Sequence, residues 1–324
     1  MRFDLTLLGT SGGAPTADRN CSAAFLRTET TDVLIDCGEN TQRQLLRAGF
    51  GMGKVSHVLI THLHGDHYFG LAPLLSSLAM QGRTSPLHII SPQHLRPRLD
   101  VLLELDKYRF PFELAFTVMN PDRIVQLPDV GDLELFVFPL QHRIETNGYL
   151  LRERAREANI LKDAIDEHQI PWPAIRAIKA GGDYARPDGT VILHNALTTP
   201  AAAPRSYAHC SDTIYFPELA DYVRGVDLLY HEATFLSDMS EDAAKKGHST
   251  AADAARTARD AGVGQLVLGH YSTRYDGPEG HEAEARAIFE RTTAGRDFYG
   301  FSVGRDGRGG NARRRPSLNP NAEV

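Results

Sequence analysis

Val58-Leu59-Ile60-Thr61-His62-Leu63-His64-Gly65-Asp66-His67 joins a short apolar run to three histidines and an aspartate packed into six residues. Val58-Leu59-Ile60 has the uninterrupted apolar character of a buried strand. On the loop that follows, side chains need not alternate, so His62, His64, Asp66 and His67 can converge on one point. Imidazole and carboxylate together suit zinc, and few protein ligands per ion leave a position for water. Gly65 lets the loop turn tightly. Two close histidines are common by chance, whereas three with an aspartate at a strand end point to metal binding. One zinc takes about four ligands, so two ions sharing these four residues need further donors from elsewhere.

Of the 14 histidines, the best placed follow strands as His64 does. His142 follows an apolar run at Leu133–Leu140, and His270 follows Gln265–Leu268. Asp212 follows the strand-like Ser206–His209, and its carboxylate could bridge two metals. The plain alternative for each is a polar residue satisfied at a strand end; their shared position on one sheet edge favours the ligand reading.

The rest of the chain alternates strands with helices. Asp4–Leu8, Ala23–Arg27, Asp32–Ile35 and Leu87–Ile90 read as strands, with helices near Glu39–Ala48 and Tyr68–Met80. Asp227–Tyr230 is strand-like. Ser249–Ala261 reads as a helix capped by Ser249 or Thr250, with Gly262 as its stop. This mixture predicts a layered α/β architecture with sheets covered by helices. Residues 151–204 differ: seven basic and seven acidic side chains accompany Pro171-Trp172-Pro173 and Gly181-Gly182. Their front reads as helical and the remainder as an extended excursion. The tail from about Gly304 is rich in Gly, Arg, Asn and Pro, a composition expected to stay disordered.

With 324 residues, 42% of them hydrophobic, the chain can bury a substantial core. Its longest apolar runs fall far short of the roughly 20 residues that cross a bilayer, so no membrane span is expected. Asp4 interrupts what would be the apolar part of a signal peptide, and the three cysteines include no close pair. Both observations fit a reducing, cytoplasmic setting. A net charge of −6 argues against a protein that coats nucleic acid, although an enzyme can confine positive charge to one rim and let bound metals supply the rest.

His62, His64, Asp66 and His67 match the H-x-H-x-D-H signature of the metallo-β-lactamase superfamily in full, and further blocks resemble the ribonuclease Z family within it. Leu7-Leu8-Gly9-Thr10-Ser11-Gly12-Gly13-Ala14-Pro15-Thr16 is similar to that family's opening loop, and Leu34-Ile35-Asp36-Cys37-Gly38-Glu39-Asn40-Thr41-Gln42 to its second block. His231-Glu232-Ala233-Thr234, His248-Ser249-Thr250 and Gly269-His270-Tyr271-Ser272-Thr273-Arg274-Tyr275 follow in the family's order. The resemblance covers residues 4 to about 302.

The resemblance implies an αβ/βα sandwich, two mixed sheets face to face with helices outside, over residues 1–302. It places the 151–204 excursion where the family inserts a flexible arm that grips the tRNA elbow, and leaves 303–324 as a basic tail. The activity implied is cleavage of the 3′ trailer from precursor tRNA after the discriminator base, in a cytoplasmic homodimer with two zinc ions per subunit. His62, His64 and His142 would hold one zinc, Asp66, His67 and His270 the other, and Asp212 would bridge. Asp66 is then the general base. His248 has no ligand role and becomes the proton donor to the leaving oxygen, oriented by Glu232; its competing role is to cap the helix at Ser249. Arg274 would contact a substrate phosphate, and Arg176 and Lys179 the tRNA. The family's Gly-Pro pair is missing from the arm, and Ser211 stands where glycine commonly precedes the bridging aspartate. His209 and Cys210 add possible soft donors, with a core position the alternative for Cys210. Two other readings compete: a small-molecule ester, sulfate or lactone hydrolase on the same scaffold, and a noncatalytic nucleic-acid-binding module. The arm and the His248 block speak against the first, the complete donor set against the second.

Overall fold

The computed structural model describes residues 2–105, 107–304 and 313–314; most of the expected basic tail lies outside them. Glu153–Pro204 forms a compact unit of its own, and the described residues of Met1–Arg152 and Arg205–Val324 form the other.

The larger unit holds two mixed sheets. One runs Arg313–Arg314, Tyr299–Ser302, Asp4–Gly9, Ala23–Arg27, Asp32–Ile35, His57–Leu59, Leu87–Ser91, Leu114–Val118. The other runs Thr292–Ala294, Gln265–Gly269, Leu228–Glu232, Ser206–Cys210, Thr146–Glu153, Leu133–Leu140, Val125–Val130. Successive strand residues face opposite sides, and here both sides are buried, which is why the strands read as unbroken apolar runs. Leu5, Leu7, Leu26, Val33 and Leu59 meet Leu135, Val137, Tyr149, Tyr207, Leu228 and Val267 between the sheets. On the outer face of the first sheet, Leu8, Phe25, Leu34 and Val58 pack on Leu45, Leu71, Leu74, Leu75 and Leu78 of its helices. On that of the second, Leu150, Ala208, Leu229 and Leu266 pack on Ala251, Ala254, Ala255 and Ala258. Helix, sheet, sheet, helix is the sandwich expected from the sequence.

Register sets the site. Asp32–Ile35, His57–Leu59 and Leu87–Ser91 run parallel, so the residues after them, Asp36 and His62 among them, emerge at one edge. Ser206–Cys210, Leu228–Glu232 and Gln265–Gly269 are also parallel to one another, which brings Asp212, Thr234 and His270 out together.

Differences from the expected elements have local causes. Tyr68–Met80 is two helices, Gly65–Tyr68 and Leu71–Met80. Between them the Gly70 N–H donates to the Cys37 carbonyl at 2.9 Å, and a Cβ at Gly70 would collide with the Gly38 carbonyl. The strand that leads into the smaller unit runs to Glu153, three residues into the stretch read as excursion. The front of the smaller unit is helical as the sequence suggests, and its remainder is folded where the sequence suggests an extended run. Helices Lys162–His168, Trp172–Lys179 and His194–Leu197 and the short ladder of Tyr184–Ala185 with Val191–Ile192 enclose Ala164, Ile170, Ile178, Tyr184 and Leu197. Among the described residues no helix is long and apolar enough to cross a membrane. Cys21, Cys37 and Cys210 are buried and unbridged.

Candidate metal centre and active site

The structure brings all seven expected ligands together. Donor atoms of His62, His64, His142 and Asp212 lie within 4.8 Å of one another, as do those of Asp66, His67 and His270. Asp212 sits between the two sets: its carboxylate oxygens stand 3.5 Å from His62 Nε2, 3.5 Å from His67 Nε2 and 3.3 Å from His270 Nε2. His142 Nε2 is 3.9 Å from it. The inward imidazole nitrogens crowd one another, with His62 Nε2 3.1 Å from His64 Nδ1 and His67 Nε2 3.2 Å from His270 Nε2.

The outward nitrogens explain this crowding. His142 Nδ1 lies 2.6 Å from the Gly247 carbonyl oxygen; a carbonyl only accepts, so Nδ1 carries the proton and the Nε2 lone pair faces the site. His67 Nδ1 donates to Asp36 Oδ2 at 2.7 Å. Thr61 and Thr234 act alike. Each hydroxyl donates to a carboxylate, Thr61 to Asp36 at 3.0 Å and Thr234 to Glu232 at 2.7 Å. Each hydroxyl oxygen is then left to accept from an imidazole, His62 Nδ1 at 3.1 Å and His270 Nδ1 at 2.9 Å. Such outer partners fix the tautomer and raise the basicity of metal-ligating histidines.

The charges agree. Asp36, Asp212 and Glu232 are buried, and Asp66 is nearly so. Burial alone would depress the His67 imidazolium, yet Asp66, Asp212 and Asp36 raise it well above the ordinary histidine value. Asp66 and Asp212 facing the inward nitrogens of His62, His67 and His270 call for cations between them. The residues fit a metal, and their hard oxygen and imidazole donors suit zinc.

The backbone is bent to serve this site. Asp36 and His270 both hold left-handed backbone, with φ of 57° and 60°, a conformation that costs a non-glycine residue about 1 kcal/mol and clusters at functional sites. Gly12 leaves room for the His270 ring, since a Cβ there would stand 2.9 Å from its Nδ1. The Gly13 N–H donates to Asp66 Oδ2 at 2.8 Å.

His248 stands beside the donors. Its Nδ1 donates to Glu232 Oε1 at 2.9 Å and lies 3.8 Å from Asp212. Burial works against its cation, but Glu232 and then Asp212 lift it to about 9. Glu232 is held rigidly, accepting from the N–H groups of Thr213, Thr234 and Ser249. His248 does not cap the following helix: Thr250 does, in a capping box with Asp253. Arg274 lines the pocket over the centre. Arg176 and Lys179 fall in the last turn of helix Trp172–Lys179 in the smaller unit, where Lys179 lies 3.7 Å from Glu157. His209 and Cys210 stay outside the donor sets. Cys210 is core, and His209 stacks on Tyr230 at 4.3 Å with its Nδ1 2.7 Å from the Tyr207 hydroxyl.

Asp36, Thr61 and Thr234 were not singled out by sequence reasoning. Asp36 and Thr234 lie in quoted blocks and Thr61 directly precedes His62, but only the folded register shows which imidazole each one meets. Asp36→Asn supplies a test. The amide would turn an N–H toward His67 Nδ1, forcing the proton onto Nε2 and blocking the inward lone pair. Metal affinity is expected to fall roughly 10–100-fold, measured by competition with a chelator, with far-ultraviolet dichroism unchanged.

Known proteins bear on this geometry. Residues 3–149 match the family model described as Anti-Pycsar protein Apyc1, and residues 181–271 match that of the Beta-lactamase superfamily domain. The chain is 38% identical over 301 residues to the ribonuclease Z of Parabacteroides distasonis, covering 93% of this chain and 99% of that protein. It is 38% identical over 292 residues to the ribonuclease Z of Porphyromonas gingivalis, covering 90% and 96%. Among solved structures, the short form of human tRNase Z is similar with a TM-score of 0.69 and 26% identity, over 93% of this chain and 99% of that one. A diphosphatase of the PhnP family shares the fold alone, with a TM-score of 0.59 and 17% identity over 94% of this chain and 98% of that one.

Proposed function

The chain belongs to the ribonuclease Z family of the metallo-β-lactamase superfamily, and from that premise we propose that it is a zinc-dependent endoribonuclease that cuts precursor tRNA just after the discriminator base. The tRNA keeps a 3′-hydroxyl and the trailer a 5′-phosphate. The observation that carries this reading is the pairing of a seven-donor cluster with an eighth side chain, His248, which lies within reach of Asp212 and His270 but spends its Nδ1 proton on Glu232 at 2.9 Å. A cluster that only bound nucleic acid would have no use for a separate, oriented proton donor.

His62, His64 and His142 would hold one zinc, Asp66, His67 and His270 the other, with Asp212 shared. When bound, the two ions supply acidification of water near neutral pH and offset the negative charge that builds on the phosphate. The protein's own groups handle the protons. Among the described residues the hydrogen bonds and ion pairs of Asp66 all fall on Oδ2, so Oδ1 is free to take the proton of the attacking water. His248 enters charged and gives its proton to the departing 3′ oxygen, while Glu232 stabilises and aims it.

Several further elements belong to the same reading. Arg176 and Lys179 of the smaller unit contact the tRNA body. The protein acts as a homodimer, as the family resemblance implies. The setting is the cytoplasm. The test sets kcat/KM for a precursor tRNA with a 3′ trailer against p-nitrophenyl esters, aryl sulfates and lactones. The precursor is expected to win by orders of magnitude; a lactone or ester that wins instead would identify a small-molecule hydrolase.

A further inference from the structure

The pocket over the centre, about 450 Å³, is lined by three cations, Arg143, Lys246 and Arg274. Among the described residues none of the three forms an ion pair. Adjacent lysines show that this is selective. Lys245 pairs with Glu241 at 3.6 Å, whereas Lys246 places its ammonium 5.3 Å from the centroid of the Phe235 ring. The Arg274 guanidinium lies 5.2 Å from the same centroid and also donates to Met239 Sδ. Phe235 is buried, so the ring is a fixed support for both cations.

Two like charges held against one ring repel each other, and cation–π attraction at exposed sites offsets that only weakly. In a chain of net charge −6, such an arrangement at the mouth of a catalytic pocket is suited to an anion that spans both. The reaction indicates which one. The Phe235 ring lies 6.1 Å from that of His248, the donor to the departing 3′ oxygen. That side of the pocket therefore receives the nucleotide that leaves, and the next phosphate on that side is its own 5′ phosphate.

We propose that Lys246 and Arg274, both braced on Phe235, clamp the phosphate on the 5′ side of the discriminator nucleotide. The tRNA end is gripped beside the scissile bond and the trailer is not, so the cut is measured from the tRNA whatever the trailer's sequence. This rests on the endoribonuclease reading and adds to it the side on which substrate is held.

The experiment uses the full-length protein and three precursors: unmodified, with an uncharged methylphosphonate at the phosphate 5′ to the discriminator nucleotide, and with one at the first linkage inside the trailer. Lys246→Met is expected to raise KM on the unmodified precursor roughly tenfold with kcat near wild type. Lys246→Arg restores it, and Lys245→Met behaves as wild type. The wild type should lose a similar factor on the 5′ methylphosphonate, and Lys246→Met should lose little more. The trailer methylphosphonate should affect wild type and Lys246→Met equally. Salt dependence gives a second readout, the slope of log affinity against log salt becoming shallower by about 0.7 in Lys246→Met. Independent losses on the 5′ methylphosphonate, or coupling to the trailer linkage instead, would overturn the clamp. Wild-type protein that fails to cut the unmodified precursor would sink the endoribonuclease reading itself, and the clamp with it.

Discussion

Asp66→Ala is expected to lower kcat on precursor tRNA by about 10⁴-fold, the upper end of the range for a residue that moves a proton in the transition state. The effect is large because Asp66 serves twice. It belongs to the donor set with His67 and His270, and it is anchored by the Gly13 N–H in a position to receive the proton of the attacking water. The two roles separate in measurement. Six other donors remain, so bound metal, counted by atomic absorption after dialysis, should fall only in part while turnover collapses. Turnover within tenfold of wild type would remove Asp66 from the general-base role. Complete loss of metal alongside turnover would reduce it to a ligand.

His248→Ala should lower kcat by about 10²–10⁴-fold under saturating precursor, with metal content intact. Its Nδ1 donates to Glu232 at 2.9 Å and stands farther, 3.8 Å, from Asp212, and the helix after it is capped by Thr250, so the fold does not depend on it. The decisive readout is the leaving group. An alkoxide such as a ribose 3′ oxygen needs a proton to depart, whereas p-nitrophenolate does not. The defect on bis(p-nitrophenyl) phosphate is therefore expected to be small. Equal defects on both substrates would assign His248 to binding or positioning instead of proton donation. Glu232→Gln should reproduce a weaker version of the same pattern, since an amide still orients the ring but no longer stabilises its charge.

The parts of the site legible in the sequence share one physical signature, an abrupt change from apolar run to polar donor. His62 after Val58–Ile60 and His270 after Gln265–Leu268 show it, because a strand buried on both faces must be apolar throughout and its end is where polar side chains reappear. Asp212 shows it less cleanly, since Ser206 and His209 interrupt the strand before it. The outer partners show no such signature. Asp36 also follows a strand, but its bond to His67 spans 31 positions, and no local pattern encodes that meeting. Thr146–Glu153 opens Thr-Asn-Gly, which carries no strand signal, yet all but one of its residues are buried. Its central place in the second sheet, not its composition, makes it a strand. The rear of the smaller unit reads as extended because its prolines and glycines punctuate it, while the isoleucines that close its core are spread from Ile160 to Ile192.

The most direct measurement incubates the purified protein with a precursor tRNA carrying a 3′ trailer, with and without chelator, and maps both new ends. A chelator-sensitive cut immediately after the discriminator, leaving a 3′-hydroxyl on the tRNA and a 5′-phosphate on the trailer, is the expected result. A cut that survives chelation, or ends that carry a 2′,3′-cyclic phosphate, would contradict the two-metal hydrolytic centre built from His62, His64, Asp66, His67, His142, Asp212 and His270.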